Sequence, residues 1–318
     1  MCKKIQQRCL VSMFVGLAVI LLGAIGPAQA ALILVNPANG CPQTLNTPGG
    51  QYVLTGDLDC SGTNGNGIII TASNVIFHLA GHTIKSTDRD PTKNISGIVV
   101  QSVSGVLIDG GTVRGFNDGV FLDAFTANSR VSGMTVKGAS IFGMVVSGSQ
   151  NQVDMSVVTE SGSDGIGLGS ASGAVITSND ISGNARVGVA ISNSSNDNVV
   201  QNNIINNNGI ILGTGDGVAI FNGTKNLIQN NAVNNNFTGI SIGSPGNTVT
   251  GNTVNGSVGS GANGVGIEIT NNGAPSTVQA NTVLGSSLLD MSDGNTNCDG
   301  NTWKNNTFQT ASPPGQPC

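Results

Sequence analysis

The chain has 318 residues, among them 47 Gly and 39 Asn, while only 9% are charged and 3% aromatic. Gly and Asn at that level, with Glu, Lys, Arg, Gln and Met scarce, exclude a fold built on long helices. Short Val, Ile and Leu runs recur throughout and the mean hydropathy is +0.11, which excludes a disordered polar chain.

Residues 1–30 open with Lys3, Lys4 and Arg8, continue in an apolar run from Leu10 to Ile25 and end in Ala28-Gln29-Ala30, an A-x-A cleavage signature. This predicts a secretory signal peptide, because a run of about 16 residues is shorter than the roughly 20 needed to cross a bilayer. No later stretch has the length and apolarity of a transmembrane segment, so the expected location is secreted or periplasmic. Cleavage leaves nine basic and 17 acidic residues, a net charge of −8. That sign argues against nucleic acid and anionic membranes as partners; nothing in the sequence speaks to the oligomeric state.

Residues 31–60 precede the repeats and are expected to cap the open end of the fold. Four cysteines survive cleavage, Cys41 and Cys60 here and Cys298 and Cys318 at the far end. In an exported protein this even, terminal placement predicts disulfides, and sequence proximity favours Cys41 with Cys60 and Cys298 with Cys318. A metal site is the weaker reading, since there is no C-x-x-C and His78 and His82 lie elsewhere.

From 61 to 290 a Gly followed by alternating apolar residues recurs at Gly97, Gly119, Gly143, Gly165, Gly188, Gly217, Gly239 and Gly264, at spacings of 22, 24, 22, 23, 29, 22 and 25. A period in the low twenties without helical segments predicts stacked coils of a β-solenoid, with neighbouring strands about 4.8 Å apart. Alternation places the residues one and three after the Gly inside, as at Val189 and Ile191. The outward column two after each Gly then reads Val99, Phe121, Val145, Gly167, Ala190, Ala219, Ser241 and Gly266. Its first three members form an apolar patch that should be covered by a loop, a tail or a partner. Between the Gly anchors a second motif carries Asn179, Asn203, Asn231, Asn252 and Asn281. These Asn either stack as an amide ladder or supply left-handed turn geometry. Ser86 to Asn94 reads as an excursion loop and Asn206 to Gly215 as an insertion. Residues 291–318 read as a C-terminal cap and tail.

The segments Tyr52-Val-Leu-Thr-Gly-Asp-Leu-Asp-Cys60, Asn74-Val-Ile-Phe-His-Leu-Ala-Gly-His-Thr-Ile84 and Gly110-Gly-Thr-Val-Arg-Gly-Phe116, together with the Gly-anchored series, resemble the right-handed parallel β-helix repeat proteins of the pectate-lyase-like superfamily. The resemblance covers roughly residues 41 to 310. It implies an all-β fold, a single right-handed parallel β-helix, and polysaccharide as the partner, with lyase, hydrolase and epimerase activities among the relatives. The catalytic motifs of those relatives do not carry over. Gly81-His82-Thr83 lacks the second Gly of a polygalacturonase-like G-H-G, and Asp90-Pro91-Thr92-Lys93 departs from an alginate-epimerase-like D-P-H-D at both chemically important positions. His82 is expected to fill the turn slot of Gly111 and Asn179.

One constellation remains. Asp118, Asp164 and Asp216 each stand immediately before a repeat Gly and Arg186 stands two before Gly188. Stacking in register puts Asp164, Arg186 and Asp216 on three successive coils near one sheet edge, the two carboxylates about 9 to 10 Å apart from two strand steps. That row is the candidate catalytic set, with Arg186 to hold a uronate carboxylate. Against it, Asp-Gly is a common turn pair, and simple alternation would point the residue before the Gly inward, where a charge is costly. Ca²⁺ lacks a ligand motif here, since the acids are scattered. Two function classes follow: an exported polysaccharide-interacting protein, as a lyase or glycoside hydrolase if catalytic, and a non-catalytic structural or adhesion solenoid.

Overall fold

The computed structural model describes residues 31–88, 93–260, 263–295 and 300–313. They wind into a parallel β-helix, right-handed as parallel crossovers are. Each coil contributes one short strand to each of three sheets, and each strand pairs in parallel with its equivalents on adjacent coils. Sheet one runs over twelve strands from Leu32–Val35 to Thr302–Lys304, sheet two over twelve from Gln43–Leu45 to Ala311–Ser312, and sheet three over ten from Leu58–Asp59 to Thr282–Leu284. Among the described residues the 3₁₀ turn Pro37–Asn39 is the single helical element. The Cys41–Cys60 disulfide ties the N-terminal coils together. The signal segment and the Cys298–Cys318 pairing lie outside the described residues.

Inside, like residues stack on like. Ile98, Val120, Met144, Ile166, Val189, Val218, Ile240 and Ile267 form one column of sheet two and none is more than 1% exposed. The anchoring Gly beside this column is selected by space. A Cβ on Gly119 would overlap Val136 Cγ1 and the carbonyl of Gly143, and equivalent collisions recur at Gly97, Gly143, Gly188 and Gly239. The Gly therefore faces the core, and so does the residue after it. Two consecutive inward positions interrupt the period-two alternation, which leaves the residue before the Gly and the second residue after it on the same outer face. This corrects the expectation from simple alternation that the preceding residue points inward.

The register also moves the eighth anchor. Ile240 pairs with Ile267 and Ser241 with Glu268, so the anchor is Gly266 rather than Gly264, and Glu268 replaces Gly266 in the outward column. Gly-Val-Gly offers either glycine as an anchor; Gly264, at φ +87, belongs to the turn before the strand.

The repeated Asn form a ladder. Asn179 Nδ2 donates to Asn203 Oδ1 at 3.0 Å, and the same bond links Asn203 to Asn231, Asn231 to Asn252, Asn252 to Asn281 and Asn281 to Asn306 at 3.0 to 3.1 Å. The left-handed turn falls on the residue before each, at Ser178, Asn202, Asn230 and Ala280. The two readings of the motif thus belong to adjacent residues. Further ladders run through Asn184, Asn208 and Asn236 and through Asn198, Asn226 and Asn247.

Candidate functional site

The interrupted alternation brings the sequence-predicted residues to the outer face of sheet two. Asp164 and Asp216 occupy the column before the Gly, separated by Val187 on the coil between them, and Arg186 precedes Val187. Arg186 Nε and Nη2 donate to Asp164 Oδ1 and Oδ2 at 2.8 and 2.6 Å. Asp164 Oδ1 also accepts the Val187 N–H at 3.2 Å, and its side chain is only 2% exposed. This fork-to-fork pair fixes the guanidinium plane and uses two of its five N–H groups. The Asp164 hydrogen bonds raise the Arg186 pKa further above its ordinary value. Arg186 lies over the Phe221 ring, 5.7 Å from its centroid.

Asp216 forms no direct ion pair with Arg186 but feels its charge. Burial pushes the Asp216 carboxyl up to about 7, the Glu268 carboxylate adds to the effect and Arg186 opposes it. Burial also raises the Glu268 pKa, against the Ser241 hydrogen bond that favours its charged form. Asp118, farther along the same column, is pushed up to about 6 by burial, with the Phe142 N–H opposing.

Around these groups the outer face is hollowed. A cleft of about 380 Å³ has Gly167, Gly169, Ala190 and Ser192 in its floor and Phe121, Phe142 and Phe221 among its walls, with the Arg186–Asp164 pair at one side. A second cleft of about 400 Å³ shares Phe121, Phe142 and Val145 and continues over the preceding coils past Val99, Ser96, Gln101, Asn66 and Asp118. Asn94, at the end of the excursion loop, lines this second cleft. Val99 is 6% exposed while Phe121 stays half-buried, so the apolar patch is partly covered and its open part forms a trough wall.

Sequence reasoning missed Phe142 and Glu268. The column before the Gly reads Ser96, Asp118, Phe142, Asp164, Val187, Asp216 and Thr238, and that variety, beside the uniformly aliphatic inner columns, was the available signal. His82 fills the expected turn slot. Its carbonyl accepts the Thr112 N–H as the Gly111 and Asn179 carbonyls accept those of Thr135 and Ile204. The imidazole of His78 meets Asp109 at 2.7 Å and that of His82 lies 3.7 Å from Asp57.

The family model described as periplasmic copper-binding protein (NosD) matches residues 43–211. No curated protein matches the chain in sequence. Among solved structures, the Dettilon tailspike protein is similar at 17% identity and a TM-score of 0.60, over 86% of this chain and 60% of that one; the chain thus spans less than two thirds of the tailspike's length. The Azotobacter vinelandii mannuronan C-5 epimerase AlgE6 A-module is similar at 17% identity and a TM-score of 0.60, over 82% and 87% of the two chains. The periplasmic alginate epimerase AlgG is similar at 16% identity and a TM-score of 0.55, over 88% and 76%. At these identities the likeness is one of fold.

Proposed function

The chain belongs to the periplasmic NosD family, and we propose that this member binds an acidic polysaccharide lengthwise in the trough of sheet two. The observation that carries the reading is the side-chain-poor floor of Gly167, Gly169 and Ala190 set between three phenylalanines and a preoriented Arg186. Apolar sugar faces pack on exposed rings, and the remaining guanidinium N–H groups suit a uronate carboxylate. The β-helix neighbours named as alginate and mannuronan epimerases are compatible with this partner. Asp164, a member of the candidate catalytic row, acts in this reading by holding Arg186.

The family description names copper, so the donor set matters. Among the described residues no group of three or more His, Cys, Asp or Glu could hold a metal ion. Cys41 and Cys60 are joined to each other, and His78 and His82 each face a single Asp. These described residues do not fit a copper centre.

Titration calorimetry with polyuronate and neutral glycans tests the binding. Arg186→Ala should weaken polyuronate binding at least tenfold and leave neutral glycans unchanged, whereas Phe221→Ala should weaken both. Absence of glycan binding by the wild-type protein, or an unaltered Arg186→Ala, overturns the reading. A second reading, cleavage of the bound chain, is favoured by Asp216, whose carboxyl burial pushes up to about 7, a value that suits proton transfer near neutral pH. It requires that Asp216→Asn abolish product release while binding persists.

A further inference from the structure

A different face carries an unexplained concentration of positive charge. On sheet three, Lys85 pairs in register with Asp59 on one side and Arg114 on the other, and Arg114 pairs with Lys137. Strands on adjacent coils lie about 4.8 Å apart, so three cations stand side by side, an arrangement that costs stability. Later coils place Thr159, Ser182, Asn206, Asn234 and Asn255 in the same column. Three of the nine cations of the mature chain are therefore spent on one spot in an acidic protein.

The acids nearby relieve only its ends. Lys85 Nζ is 3.0 Å from Asp59 and Lys137 Nζ is 3.0 Å from Glu160. Arg114 between them is exposed and has no carboxylate partner among the described residues. It opens onto a cleft of about 430 Å³ lined also by Ser86, Thr87, Lys137 and Glu160. Backbone approaches closely at its base, where a Cβ on Gly115 would collide with the Ser86 carbonyl.

We propose that this cleft is an oxyanion site that takes a phosphate or sulfate group, free or as a sugar ester. Arg114 is the principal donor, Lys137 swings to share the charge, and the hydroxyls of Ser86 and Thr87 complete the set. A tetrahedral oxyanion offers acceptors to several separated donors at once, whereas a carboxylate is satisfied by one guanidinium fork. The net charge of −8 outside the signal segment disfavours an anionic bilayer as the source. The site lies on another sheet from the trough and stands whether or not the trough binds glycan.

The experiment is calorimetric titration of the full exported protein with inorganic phosphate, inorganic sulfate and glucose 1-phosphate, at ionic strength matched with chloride. Saturable binding of at least one oxyanion is expected, weakened tenfold or more in Arg114→Ala, less in Arg114→Lys and not at all in Lys225→Ala. Tighter binding of glucose 1-phosphate than of the free ions assigns the source to a sugar ester; equal or weaker binding assigns it to the free ion. Circular dichroism of Arg114→Ala, together with its retained glycan affinity, separates loss of the site from loss of the fold. No saturable oxyanion binding, equal binding by Arg114→Ala, or binding to anionic vesicles alone overturns the proposal.

Discussion

Replacing Asn203 by Ala removes the second of the six Asn in the longest amide ladder. Asn203 Oδ1 accepts the backbone N–H and the Nδ2 of Asn179 at 2.9 and 3.0 Å, while its Nδ2 donates to Ile176 O at 2.9 Å and Asn231 Oδ1 at 3.0 Å. Some of these partners have substitutes: Asn179 Nδ2 keeps Val153 O, and Asn231 Oδ1 keeps the residue 203 N–H. The Asn179 N–H loses its acceptor at a site where Asn179 is 2% and Asn203 1% exposed. A buried orphaned donor costs about 1–3 kcal/mol, and the lost amide bonds and the small void bring the expected total to roughly 3 kcal/mol or more. At about 2 °C per kcal/mol for a chain of this size, Tm should fall by about 6 °C. The control is Asn206→Ala, whose half-buried side chain bonds only Asn234 Nδ2 at 3.0 Å, and which should cost about 0.5 kcal/mol. Thermal and urea unfolding followed by circular dichroism measure both. If Asn203→Ala destabilises no more than Asn206→Ala, the ladder is not what holds this corner together.

Asp216 makes stability depend on pH with a defined sign. Its unfolded carboxyl titrates near 3.8 and its folded one at about 7, so the stability it contributes is complete below 3.8 and is lost as pH rises through 7. Asp216→Asn should flatten that fall in urea titrations between pH 5 and 8, and an unchanged slope refutes the assignment. Two glycines should respond in opposite ways. Gly143→Ala drives a methyl into Val158 and the Gly165 carbonyl and should cost about 1–3 kcal/mol. Gly167→Ala, whose nearest neighbour would be Phe142 Cδ1 at 3.8 Å, should leave Tm unchanged and weaken glycan binding by narrowing the trough floor; equal effects of the two on Tm would refute the inward and outward assignments.

The coil period was legible because inner positions admit little variety: a column that stacks at strand spacing must be aliphatic on every coil, and the Gly beside it must lack a Cβ on every coil. Those constraints write themselves into spacing, and spacing alone places Asp164, Arg186 and Asp216 on consecutive coils. The break in alternation was not legible from a period of two, because it depends on Gly119 and its equivalents facing the core in company with the next residue. Strict alternation would turn Phe142, the residue before Gly143, inward, whereas it lines both clefts of the outer face. Glu268 was hidden by a local ambiguity, since Gly264 and Gly266 both fit the motif and only the pairing of Ser241 with Glu268 decides between them. The Asp164–Arg186 ion pair depends on side-chain reach across one coil, which column placement permits but does not specify.

The molecule's labour is divided along its axis. In the turn slot, His82, Gly111, Met134 and Ser156 precede the unbroken run from Asn179 to Asn306. The amide ladders thus strengthen the later coils, where the outer faces carry mostly Ala, Ser, Thr and Asn. Phe121, Phe142, Asp118 and the Lys85–Arg114–Lys137 row lie on the earlier coils, while Arg186 and Phe221 reach the trough from laddered ones. In a solenoid, stability is a sum over coils and their interfaces, so a repetitive half can compensate for a half whose outer columns are specialised. Buried charge at Asp164 and stacked cations at Arg114 each cost stability locally. Asp164 and Arg186 stand on coils that the ladder from Asn179 to Asn203 keeps in register, and that rigidity, with the ion pair, fixes the guanidinium in one orientation at the side of the trough.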